Sequence, residues 1–123
     1  MKLLLITSAV VEAVVGVSLL TLPAFTASTL LGMPLDTPAG SVAARIAGAA
    51  LISIGIACWN ARNKERQGPA KGVVAALLFY NLAAVAVLVY AAIAVGSSSP
   101  LLWPTIVLHF ALAAWCALSL RAK

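Results

Sequence analysis

Glu12, Arg45, Tyr80, Asn81 and His109 are the side chains of this sequence best equipped to do chemistry, and each lies within a long apolar stretch. A carboxyl, a guanidinium, a phenol, an amide and an imidazole offer proton transfer, ion pairing and hydrogen bonding to a polar head group. Placing an ionisable group inside a bilayer costs about 2.5–3.5 kcal/mol on insertion scales, so such residues face a bundle interior, a partner or a ligand. Glu12, far from either end of its stretch, has to be protonated or paired, with Arg45 and His109 as the candidate cations. Arg45 is long enough either to approach the level of Glu12 or to snorkel to the outer head groups. Asn81 beside Tyr80 suits interhelical hydrogen bonding, and His109 suits an interior hydrogen bond or a proton relay.

The elements that must position these groups follow from composition. Of 123 residues, 63% are hydrophobic and 9% charged, with a mean hydropathy of +1.10. Soluble domains average about 45–50% apolar and about 25% charged, so this is a membrane chain. At about 20 residues per span, the length accommodates four helices with short loops and no second domain. The expected fold is all-α: a four-helix transmembrane bundle with spans at about 3–22, 41–59, 72–95 and 101–120. The opening run is about 20 residues long and interrupted by Glu12, which reads as a retained first span rather than a cleaved secretory signal.

The net charge of +5 could point to nucleic acid, but its distribution points to topology. Lys2 precedes the first span, Arg62, Lys64, Arg66 and Lys71 flank the second and third, and Arg121 and Lys123 follow the fourth. The connections after spans one and three carry no Lys or Arg. By the positive-inside rule both termini and the middle loop are cytoplasmic, and nucleic acid is not a partner. The expected location is a cell inner membrane, crossed several times.

Between the first two spans, PAFTASTLLG opens with Pro23 and closes with Gly32, the start and stop signals of a short helix. Phe25, Leu30 and Leu31 would set it in the outer interface. In the second span, Ala44 and Gly48 form a small-xxx-small pair, and Ser41, Gly48 and Gly55 recur every seven residues. Such a stripe lets helix backbones approach closely in lipid, either at the centre of one bundle or between two copies. Trp59, Tyr90 and Trp103 fall near span ends, as interfacial aromatics do.

At about 1.5 Å rise per residue, Glu12 and Asn81 fall near the midplane, His109 somewhat to the outer side and Arg45 in the outer third. Overlapping depths suggest a shared polar pocket open toward the outside. Helical side chains lean toward their own N-terminus, which sends Arg45 and His109 outward and Glu12 and Asn81 inward, spreading the set.

Several chemistries drop out. A single His excludes a bis-histidine haem, and no phosphate loop or nucleophile elbow is present. Cys58, Cys116 and His109 do not have the spacing of a zinc site, and the two thiols read as buried small hydrophobes. The second span, ARIAGAALISIGIACW, together with Glu12 in the first and the loop string LLGMP, resembles small four-helix bacterial inner-membrane proteins, loosely those of the DoxX type. That resemblance implies a small subunit of a quinone-coupled redox system, with quinone as its cofactor, and carries no catalytic residue onto this chain. From the residues themselves the leading expectation is a non-enzymatic membrane protein. Its pocket of Glu12, Arg45, Tyr80, Asn81 and His109 would hold a lipophilic small molecule or a partner subunit. An oligomeric transporter or channel, a homodimer, and a scaffold in a larger membrane complex are the alternatives.

Overall fold

Proline and glycine punctuate the chain where its apolar runs begin and end, and the helices obey that punctuation. The computed structural model describes residues 1–64 and 68–122. Arg66 and Lys123, counted above among the basic residues of one membrane side, lie outside the described residues. Helix α1 spans Lys2–Thr21, α2 Pro23–Leu31, α3 Pro38–Ala61, α4 Pro69–Ile93 and α5 Leu102–Arg121. Four of the five, all but α2, are long and apolar enough to cross a membrane. Among the described residues there is no strand.

Helices α3 and α4 begin earlier than the expected starts at 41 and 72, because Pro38 and Pro69 occupy their first positions. Proline is pre-organised there, where its missing N–H costs no hydrogen bond. Thr37 caps α3 by accepting from the Gly40 N–H at 3.0 Å. The short helix expected after Pro23 is present as α2, and Gly32 closes it in the left-handed conformation with φ of 66°.

The bundle is two hairpins. Helix α1 packs most extensively on α3, and α4 on α5, while contacts between the hairpins are sparser. The α1–α3 contact is backbone on backbone. A Cβ added to Gly16 would lie 2.7 Å from the Gly48 carbonyl oxygen, and one added to Gly48 would lie 2.6 Å from that of Gly16. Gly55 approaches the Ala9 carbonyl in the same way, with a Cβ placed 3.1 Å from it. The small-residue stripe of the second span is thus occupied by α1 of the same chain, and Ala44 is half-buried in the next turn of that helix.

The apolar core gathers at one end. Leu4 and Leu5 of α1, Cys58 of α3, Val74 of α4, and Leu112 and Cys116 of α5 form one buried cluster, with Met1 and Leu120 packed against it. Both termini and the α3–α4 connection therefore share that end of the bundle. Cys58 and Cys116 are free and fully buried. At the opposite end the loops are stitched together by hydroxyls. Ser97 donates to the Leu31 carbonyl and Ser99 to that of Thr29, and the Leu101 N–H donates to Ser99 Oγ at 3.2 Å. Ser18 and Thr26 join α1 to α2 through their hydroxyls, 2.5 Å apart. Trp59, Tyr90 and Trp103 are exposed on the outside of the bundle.

Candidate intramembrane polar site

Helix periodicity places Ser8, Glu12 and Gly16 on one face of α1, each a turn above the last. The glycine lets that face come against α3, and the two polar residues are carried into the interior with it. Ser8 is 1% exposed and Glu12 2% exposed. Ser8 Oγ and Glu12 Oε1 have no hydrogen-bond partner among the described residues. An orphaned buried polar group costs about 1–3 kcal/mol, so this pair is the least comfortable spot in the bundle.

The second hairpin supplies the groups opposite. Asn81 of α4 is fully buried, and its Nδ2 donates to the Leu77 carbonyl at 2.8 Å. Its Oδ1 lies 2.8 Å from His109 Nδ1 of α5. Because the amide oxygen can only accept, the imidazole carries a proton on Nδ1, so in the neutral form of the ring Nε2 is the acceptor. The Tyr80 and His109 rings meet edge to face, with centroids 5.8 Å apart and planes at 79°. The Tyr80 hydroxyl faces the Glu12 carboxyl, and Cys58 of α3 is a further neighbour of that carboxyl. Tyr80 is thus the hinge of the constellation, touching an acid on one side and an imidazole on the other.

Of the five residues singled out in the sequence, the fold brings Glu12, Tyr80, Asn81 and His109 together and leaves Arg45 apart. Arg45 is exposed, and its Nη1 donates to the Leu20 carbonyl at the end of α1. Leu20 stands about 12 Å along the axis from Glu12 at 1.5 Å per residue. The cause is the lean of helical side chains toward their own N-terminus, which in α3 points away from the end that gathers the termini and toward the opposite loops. There the guanidinium meets the carbonyl-rich end of α1, where a cation is favoured. Among the described residues no Lys, Arg or His forms an ion pair with Glu12.

Two members of the site's surroundings escape a reading of charges and aromatics: Ser8, and Gly16, which lets α1 approach α3. Their signal was the four-residue spacing from Glu12, which puts all three on one face. A third feature is visible only in the assembled bundle. Between α3 and α4 runs a cleft of about 120 Å³ lined by Ile54, Ala57, Val73, Ala76, Leu77 and Tyr80. It extends from Tyr80 at mid-depth toward the end that carries both termini, and it opens sideways past exposed Ala57 and Ala76. A second groove, between α1 and α2, has its Ser18 and Thr26 hydroxyls already bonded to each other. A third, along α1 and α3, is lined by Ala9, Ala13, Gly55, Trp59 and aliphatic side chains.

The arrangement can bind and orient a hydrogen-bonding or charged head group and can hold or pass a proton among acid, phenol and imidazole. Among the described residues no cluster of His, Cys, Asp and Glu is close enough to hold a metal ion. No protein-family model, curated protein or solved structure matches the chain, so the DoxX-type resemblance lends no residue a role and function must be read from these side chains.

Proposed function

We propose that this protein binds a lipophilic small molecule within the membrane, the apolar body lying in the α3–α4 cleft and the polar head meeting Tyr80, Glu12 and His109. The observation that carries this reading is the double position of Tyr80: its side chain lines the cleft, while its hydroxyl faces a buried carboxyl with an unpartnered oxygen. An apolar groove that ends at unsatisfied polar atoms is the usual form of a small-molecule site. Asn81 fixes the imidazole through Nδ1 and so sets which nitrogen of His109 is offered to the head group. Arg45 serves the outer end of α1 in this reading and not the ligand.

In this reading the protein binds its ligand and holds or passes a proton. It sits in a cell inner membrane with both termini cytoplasmic. The basic residues support this, because Lys2, Arg62, Lys64, Lys71 and Arg121 all fall at the end of the bundle that gathers the termini.

Native mass spectrometry of the protein extracted gently from its own membrane tests the reading. The wild type retains a small lipophilic molecule. Filling the cleft with Ala76→Leu lowers its occupancy about tenfold, equivalent to about 1.4 kcal/mol, and Arg45→Ala keeps it. A wild-type protein that emerges bare, or carries only another protein chain, moves the assignment to a scaffold or subunit role.

A further inference from the structure

Among the described residues Glu12 has no counter-charge. Its carboxyl is buried, its Oε1 is unpartnered among the described residues, and the described groups that face it are uncharged or acids themselves. Those groups are the Cys58 thiol from α3 and the Tyr80 phenol from α4, with the equally unpartnered Ser8 hydroxyl one turn away on the same face of α1. From α5, Cys116 packs beside Cys58, and His109 is turned to Asn81 and the Tyr80 ring. The one arginine inside a span is tied to the Leu20 carbonyl at the outer end.

A lone buried carboxyl in lipid is neutralised by its own proton or by a cation that arrives from elsewhere. The route of arrival selects the kind of cation. The α3–α4 cleft is walled by aliphatic side chains and ends in an aromatic face, and the helices beside it are held together more sparsely than either hairpin. Such walls accept an apolar body, and the ring of Tyr80 attracts a positive centre. Among the described residues no ligand cluster awaits a hydrated metal ion, and an ionised carboxylate in this setting is best matched by a positive partner.

We infer that the ligand is a lipophilic cation, a quaternary onium or protonated hydrophobic amine, which enters from the bilayer through the α3–α4 cleft and binds Glu12 in exchange for the carboxyl proton. This rests on the binding reading above and names the class of molecule. The exchange is balanced. The O–H bond of the neutral acid breaks and its proton passes to water. The carboxylate left behind pairs with the cation, and no electrons are transferred. Tyr80 stands between cleft and acid, so its rotation away from the carboxyl admits the positive centre.

The test uses the purified full chain in detergent with tetraphenylphosphonium as probe, following binding by calorimetry and proton release in weakly buffered solution. Expected are saturable binding, one proton released per cation bound, and an affinity that rises about tenfold per pH unit while the acid is still protonated. Glu12→Gln abolishes binding and release together. Glu12→Asp, which keeps an acid at the position and guards against a folding artefact, restores proton-coupled binding at altered affinity. Binding without proton release, or binding that survives Glu12→Gln, overturns the inference. If the probe does not bind while the native protein still carries a neutral lipophilic molecule, the cation is wrong and the binding reading stands. If neither is found, both fall.

Discussion

The loop end of the bundle opposite the termini and its middle treat polar groups in opposite ways. At that loop end Ser97, Ser99, Ser18, Thr26 and Arg45 each reach a named partner, and those bonds tie α1, α2 and the α4–α5 connection into one cap. In the middle, Ser8 and Glu12 are more deeply buried than most of these, yet among the described residues Ser8 Oγ and Glu12 Oε1 have no hydrogen-bond partner. A polar group that is satisfied explains itself as structure. One that is buried and unsatisfied costs stability and is kept for something the chain does not itself provide. Asn81 and His109 sit between the two regimes, mated to each other but next to the orphaned acid through Tyr80.

Substitutions at the two regions should therefore differ in sign as well as size, read as unfolding free energies by reversible denaturation in mixed micelles. The largest effect belongs to Gly32→Val at the loop end. Its φ of 66° is hostile to a branched side chain, and its Cβ would sit 2.7 Å from the Ser99 nitrogen. A loss of about 2–4 kcal/mol is expected, and a loss under about 1 kcal/mol would show that the cap is not locked. Ser99→Ala comes next. It removes a donor to Thr29 and an acceptor for Leu101, for a loss of about 1–2 kcal/mol. Ser8→Ala is the smallest and decides the contrast. Removing an orphaned hydroxyl should leave stability unchanged or raise it by up to about 1 kcal/mol, and a clear loss would mean that Ser8 has a partner after all.

The architecture was legible because it is written in properties of single residues. Hydropathy marked the four long helices, Pro23 and Gly32 bracketed the short one, and the stripe of Gly48 and Gly55 announced a close backbone contact. The partner of that stripe was not legible. Gly16 is one small residue among many in α1, and only the rotation of two helices about their axes brings it against Gly48. The site divides along the same line. The depths of Glu12, Asn81 and His109 could be counted along each helix, and the lean of Arg45 toward the N-terminal end of α3 followed from backbone geometry. That His109 bonds Asn81, and that Tyr80 faces Glu12, depends on which faces α4 and α5 turn inward. Their nearly uniform apolarity gives no amphipathic stripe to settle that choice. Ser8 went unmarked because a serine in a membrane helix ordinarily bonds its own preceding carbonyl, as Ser53 does to Ala49 at 2.9 Å.

The glycine contact between α1 and α3 also sets an order of assembly during synthesis. Both helices belong to the half of the chain that leaves the ribosome first, and their backbone fit needs nothing from α4 or α5. This hairpin closes while the second is still being made, as N-terminal units generally do. Until α4 arrives, the face of α1 that carries Ser8 and Glu12 has no cover from Tyr80. Docking of the second hairpin is the event that hides the acid, and a nascent chain halted before Pro69 displays that acid to the surrounding lipid.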